Sequence, residues 1–239
     1  MISAKIKLEI MRHAQDVYPA ECCGVVTQKS RVQRYHRIDN VHKEPEKHFQ
    51  MDAIQYAELL DGDAEIIAIV HSHTGDGATT LPSAHDTCMC DESGVTWIIV
   101  SLPEGDMRMV EPATRPLIGR PWALGSYDCW GLIMAWHKEQ GVTLNDFRKP
   151  YEWWKPEHGE NLYQENYLKE GFIPTGKDPE PGDMVIMQLQ APVWNHAGIY
   201  TGNNQILHHA FGKLSRSDIY SGWYQEHTVM VCRHKELMK

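Results

Sequence analysis

The sequence predicts two successive domains that each mix helices with sheet, an α+β/α/β class, and three observations predict it. The 239 residues exceed one ordinary domain and divide into halves of about 110 to 125 residues, each long enough to bury its own core. Short Ile- and Val-rich runs of strand length alternate with stretches that are apolar at helical spacing. Between the halves, Glu111 to Pro121 carries Pro112, Pro116 and Pro121 and breaks any hydrophobic periodicity. The expected division is therefore residues 1–112, a semi-rigid linker over 113–120, and residues 121–239.

The elements follow in order. Ile6, Ile10, Ala14 and Val17 form one helical stripe, after which Tyr18-Pro19 and Glu21 lead into the apolar run Cys22 to Val26. Ala64 to Val70 reads as a buried strand that runs into His71-Ser72-His73. Ser83 and Asp86 have the spacing of a capping box at the start of a helix bearing Cys88 and Cys90, and Val95 to Val100 is a further strand. In the second half, the turn-forming Leu124-Gly125-Ser126 precedes Cys129; Trp130, Ile133, Met134 and Trp136 then recur at helical spacing until Gly141. Asn195 to Tyr200 is strand-like, and Leu207-His208-His209-Ala210 places two adjacent histidines on opposite strand faces.

Composition removes several function classes. A net charge of −9 without any basic run argues against nucleic acid, since phosphate binding needs clustered Lys and Arg. The longest apolar runs are strand-length, so no membrane insertion is expected. The amino terminus lacks the apolar core of a signal peptide. Six cysteines are accordingly expected as free thiols, with a structural zinc at Cys88 and Cys90 disfavoured for want of a second pair.

Two constellations carry chemistry. His71 and His73 share one strand face and can converge on one Zn2+, with Asp86 as an oxygen ligand and a fourth position left for water; His85 is the competing ligand. Further on, a cysteine at a helix start (Cys129) is paired with a histidine on a strand (His196), the layout of a thiol nucleophile and its base. At the first turn, backbone N–H groups and the helix dipole favour the thiolate. Asp128 is either the cap of that helix or a site for a substrate amine.

The first half, with Glu21, His71-Ser72-His73, Ser83 and Asp86 in order, resembles the JAMM (MPN) metalloprotease family. The resemblance implies a mixed sheet with helices, zinc on His71, His73 and Asp86, Glu21 as the proton acceptor for water, and Ser83 as stabiliser of the oxyanion. Thr74 stands where the family has Pro, and the segment to Ser83 is two residues longer than the family's spacing. The second half, with Tyr127-Asp128-Cys129-Trp130-Gly131, Pro181-Gly182-Asp183 and His196-Ala197-Gly198-Ile199-Tyr200, resembles the NlpC family of papain-like cell-wall peptidases. That resemblance implies a helix-borne nucleophile, Cys129, packed on an antiparallel sheet, with His196 as base. A third residue orients the base: His208, whose parity fits, with His209 as the alternative.

The two domains in this order resemble the tail-tip proteins of lambda-like bacteriophages. The implied function is a cysteine endopeptidase acting on peptidoglycan stem peptides, at the γ-D-glutamyl–diaminopimelate bond, joined to a zinc metallopeptidase. The implied partners are other phage tail tip proteins. The implied places are the host bacterial cytoplasm during assembly and the virion tail tip, with action in the periplasm during host cell entry. The alternatives are an assembly protein with vestigial sites, or a JAMM domain that processes a tail protein.

Overall fold

The computed structural model describes residues 2–176 and 178–238, so the outer bounds expected for the two domains, Met1 and Lys239, lie outside the described residues. The chain forms two compact units, Met1–Thr114 and Arg115–Lys239. The segment expected to link them is shared: the Ala113 N–H donates to Asp91 in the first unit, whereas Gly119 and Arg120 donate to Ser215 in the second.

In the first unit the order is α1 (Ala4–Val17), β1 (Cys23–Lys29), β2 (Val32–Ile38), α2 (Ala53–Leu60), β3 (Glu65–His73), α3 (Ala84–Ser93), β4 (Thr96–Ser101) and β5 (Asp106–Val110). The strands form one sheet in the order β2-β1-β3-β4-β5. Only β3 and β4 run parallel, and α3 makes their crossover. A sheet buried on both faces needs apolar residues at successive positions, which explains the continuous runs. The stripe Ile6, Ile10 and Ala14 of α1 packs on Val26, Ala68, Val70 and Ile98; Val25, Ile69 and Trp97 face Tyr56 and Leu59 of α2 and Cys90 of α3. Each fully buried Ile in such a layer contributes about 1.5–3 kcal/mol.

The second unit continues with α4 (Cys129–Glu139), α5 (Leu162–Asn166), β6 (Phe172–Gly176), β7 (Met184–Met187), β8 (His196–Gly202), β9 (Gln205–His208), β10 (Arg216–Ile219), α6 (Trp223–Glu226) and β11 (Thr228–His234). Its sheet, ordered β10-β9-β8-β7-β11-β6, is antiparallel throughout. Trp130 and Ile133 of α4 pack with Ile186, Ala197 and Ile199 of the sheet and with Trp153, Tyr163 and Phe172. Hence the helix carrying Cys129 lies on the strand carrying His196. Among the described residues no helix is long and apolar enough to cross a membrane.

Candidate functional site

The histidines at the end of β3 converge with the first turn of α3. His71 Nε2 and His73 Nε2 are 3.2 Å apart, and the Asp86 carboxylate lies 3.4 Å from the first and 3.5 Å from the second. The donor atoms of these three residues all lie within 4.8 Å of one another. Asp86 is held there by the capping box: the Ser83 N–H donates to Asp86 Oδ2 (2.8 Å) and the Asp86 N–H donates to Ser83 Oγ (3.0 Å). The His73 Nδ1–H donates to the Thr79 carbonyl (2.7 Å), which leaves Nε2 as a lone-pair donor towards the cluster. His71 is stacked on Phe49, and its buried Nδ1 has no partner among the described residues. Two imidazole nitrogens and one carboxylate, with the Thr79 carbonyl fixing one ring, fit a zinc site. His85 is exposed and outside the cluster.

Electrostatics separate the two carboxylates of this site. Burial opposes ionisation of Asp86, yet hydrogen bonds from His71, His73 and the Ser83 backbone outweigh it and hold the group well below the ordinary carboxylate range. Glu21 is 6% exposed, and burial pushes its carboxyl up to about 7 against the pull of His73. A carboxyl that titrates near neutrality is suited to general base work. Ser83 is exposed at the helix start, with its oxygen engaged by the Asp86 N–H. Thr74 has a use that Pro lacks. Its hydroxyl lies 2.9 Å from the Pro19 carbonyl and 3.3 Å from that of Glu46, which pins the approach to Glu21 and the loop ahead of Phe49 beside the cluster.

In the second unit Cys129 is the first residue of α4, and Asp128 is its N-cap. Both Asp128 oxygens are taken by backbone: the Gly131 N–H donates to Oδ1 (2.9 Å) and the Gly125 N–H to Oδ2 (3.0 Å). That is the geometry of a helix cap. Gly131 is required sterically, because a Cβ there would meet the Ser126 carbonyl oxygen at 2.3 Å. Cys129 Sγ accepts a hydrogen bond from Tyr163 Oη (3.2 Å) and lies 4.0 Å from the carbonyl of Asn195, the residue before His196.

Burial works against the thiolate expected at this helix start. Cys129 is 8% exposed, and burial pushes its thiol up to about 12, with Asp128 adding to the rise and Tyr163 opposing it. Desolvation of a full charge outweighs the partial charges at a helix end. His196 is lowered well below its usual value by burial. Burial therefore disfavours the charged form of each group.

His196 Nε2 is 2.9 Å from His208 Nδ1. Register explains the contact: Gly198 on β8 pairs with His208 on β9, so His196, Gly198 and His208 share a face. A Cβ at Gly198 would meet that of His208 at 2.9 Å, which is why this face carries glycine between the rings. His209 turns the other way, to the Lys213 carbonyl and the Trp122 ring. Tyr163 and Asp218, the latter 3.1 Å from His208 Nε2, escaped the sequence reading. For Asp218 a signal existed: Arg216, Ser217 and Asp218 alternate, and pairing of Arg216 with His208 puts Asp218 on the histidine face. Nothing local to Tyr163 marks it. All six cysteines are buried and none is in a disulfide, and Cys90 Sγ approaches the carbonyls of Val95 and Val110. Trp153 is core, whereas Trp194 is half-buried against Tyr167.

Comparison with known proteins accounts for both units. Residues 3–112 match the family model for prokaryotic homologs of the JAB domain, and residues 119–233 match the NlpC/P60 family. Over 230 residues, 95% of this chain and 93% of the relative, the chain is 45% identical to the tail tip assembly protein K of Escherichia phage N15. It is 31% identical over 173 residues to the tail tip assembly protein K of Escherichia phage lambda, covering 72% of this chain and 83% of that one. A solved NLP/P60-family protein from Staphylococcus aureus aligns with 49% of this chain and 37% of its own, at 20% identity and a TM-score of 0.36. The coverage and identity of the two phage relatives place this chain in the tail tip assembly protein K family, with a JAB-type domain followed by an NlpC/P60 domain.

Proposed function

We propose that the second domain is a cysteine endopeptidase that opens peptidoglycan stem peptides, cutting between γ-D-glutamate and diaminopimelate, and that the first is a zinc-dependent peptidase. The observation that carries the reading is the thiol of Cys129 at the start of α4, under the Tyr163 hydroxyl and against the strand bearing the hydrogen-bonded pair His196–His208. Cys129 Sγ attacks the amide carbonyl as His196 takes its proton, and His196 returns that proton to the leaving amine. Water then hydrolyses the thioester with His196 as base. Burial favours the neutral thiol and the neutral imidazole, so the proton moves as the substrate carbonyl is attacked. In the first domain His71, His73 and Asp86 would hold zinc, which when bound supplies Lewis acidity. Glu21 accepts a proton from water and passes it to the leaving amine, and Ser83 faces the developing oxyanion.

The relatives' role in tail tip assembly carries over as part of this proposal. The chain is assembled with other tail proteins in the host bacterial cytoplasm, and at the tail tip it acts on the wall in the periplasm. The test is a mass-spectrometric digest of purified peptidoglycan by the wild type and by Cys129→Ala. New fragments ending at the γ-D-glutamyl bond are expected from the wild type alone. One observation favours a second reading, an assembly protein whose sites are latent: the nucleophile is 8% exposed. Under that reading the free protein leaves the wall intact while remaining required for tail assembly.

A further inference from the structure

We infer that Asp218 is a positioning residue that sets the tautomers of His208 and His196, leaving Nδ1 of His196 as the atom that accepts the thiol proton. The catalytic consequence rests on the thiol-peptidase reading above; the tautomer assignment does not. A carboxylate only accepts hydrogen bonds, so the 3.1 Å contact between Asp218 Oδ2 and His208 Nε2 is attractive only when that nitrogen carries hydrogen. Tyr224 Oη is 2.9 Å from the same carboxylate oxygen and 3.4 Å from the ring nitrogen, so the hydroxyl donates to the carboxylate and does not compete for the ring. Arg216 donates twice more to Oδ2, at 3.0 and 2.8 Å, which keeps Asp218 ionised.

A neutral imidazole carries one N–H, so with hydrogen on Nε2 the other His208 nitrogen, Nδ1, is an acceptor. His196 Nε2, 2.9 Å away, must then be the donor, and by the same rule His196 Nδ1 is left with a free lone pair. The charged and titratable groups that face the pair are Asp218, Arg216 and Tyr224 on the His208 side, with His209 nearby but turned to the opposite face of the strand. Burial lowers both histidines, which fits the neutral tautomers used here. Without Asp218 the His208 proton is free to move to Nδ1, where it opposes the His196 N–H and turns the base around.

The test is nitrogen-15 NMR of histidine-labelled full-length protein at neutral pH. Both His196 and His208 should carry hydrogen on Nε2 in the wild type. In Asp218→Ala, His208 should shift to a mixture or to Nδ1–H, and kcat on purified peptidoglycan should fall at least about a hundredfold, less than the roughly ten-thousandfold loss of a fully mis-set tautomer in a triad. Asp218→Asn, which keeps the shape and an acceptor oxygen, should fall between the two. Hydrogen on Nδ1 of His208 in the wild type overturns the inference, as does an Asp218→Ala protein with unchanged tautomers and turnover. If Asp218→Ala fails to fold, the wild-type spectrum alone decides. A wild type inactive on peptidoglycan but carrying the expected tautomers would sink the peptidase reading and leave the assignment standing.

Discussion

The two histidine pairs, His71 with His73 and His196 with His208, differ in what stands opposite them. In the first domain an ionised carboxylate, Asp86, lies within 3.5 Å of both rings. In the second, Asp218 reaches the outer ring, His208, and His196 is hydrogen-bonded to another imidazole. The same side chain is thus arranged as a cation ligand in one place and as a neutral base in the other. What separates them is the number of charges left in a desolvated space. Asp86 and the lone pairs of two rings suit a divalent ion, whereas His196, paired with a second imidazole, suits the transfer of a proton.

The largest effect expected is on the thiol side. Cys129→Ala should abolish peptidoglycan cleavage with the fold intact, and His196→Ala should do the same; wild-type turnover by Cys129→Ala would end the thiol mechanism. Next comes the metal side, where elemental analysis of protein purified without chelator should find about one zinc per chain. His71→Ala or Asp86→Ala should remove most of it. Glu21→Gln should keep the metal, because Glu21 lies outside the ligand cluster, and should lose any peptidase activity of the first domain. Zinc retained in the His71→Ala, His73→Ala double variant would place the metal elsewhere.

A third contrast is in pH dependence. His137 and His209 of the second domain are buried, and burial lowers each to about 4. The unfolded chain therefore binds protons at these residues between about 6.5 and 4 that the folded one refuses, so stability is full above that window and falls as pH drops through it. Seven of the eight tryptophans lie in the second unit, Trp97 being the exception, so tryptophan fluorescence reports this domain. Its denaturation midpoint should decline from pH 7 to pH 4, and His137→Leu should make the decline shallower. An unchanged slope would mean that His137 is protonated while folded.

The smallest effect concerns Tyr163, whose hydrogen bond to Cys129 opposes the rise of the thiol. Tyr163→Phe should slow alkylation of Cys129 several-fold, the scale of one hydrogen bond of about 1 kcal/mol. In the wild type, iodoacetamide should reach Cys129 before the other five thiols. Its 8% exposure compares with at most 1% for the rest, so access and not thiolate character makes the difference. Faster labelling in Tyr163→Phe would show that the tyrosine shields the sulfur more than it polarises it.

Much of this was legible in the chain because it depends on neighbours in sequence. Alternation put His71 and His73 on one face of a strand, the Ser83 and Asp86 spacing set a capping box, and the stripe from Ile6 to Ala14 chose the buried side of α1. Each rests on the fixed periods of strand and helix. The glycines of the two motifs were visible as letters, but their reason was not: Gly131 makes room for a carbonyl and Gly198 for His208.

Tertiary structure decided what depends on register, burial and partners from afar. Which of His208 and His209 meets His196 follows from the pairing of Gly198 with His208. That Asp128 is a cap, that Thr74 pins two loops, and that Tyr163 and Asp218 join the second site all required chain segments distant in sequence to be brought together. The burial of Cys129 was beyond any local rule, because the helix start argues for thiolate and only the packing of the second domain's core around the sulfur opposes it. Periodicity is a property of the chain itself, whereas desolvation belongs to whatever the folded chain places around a group.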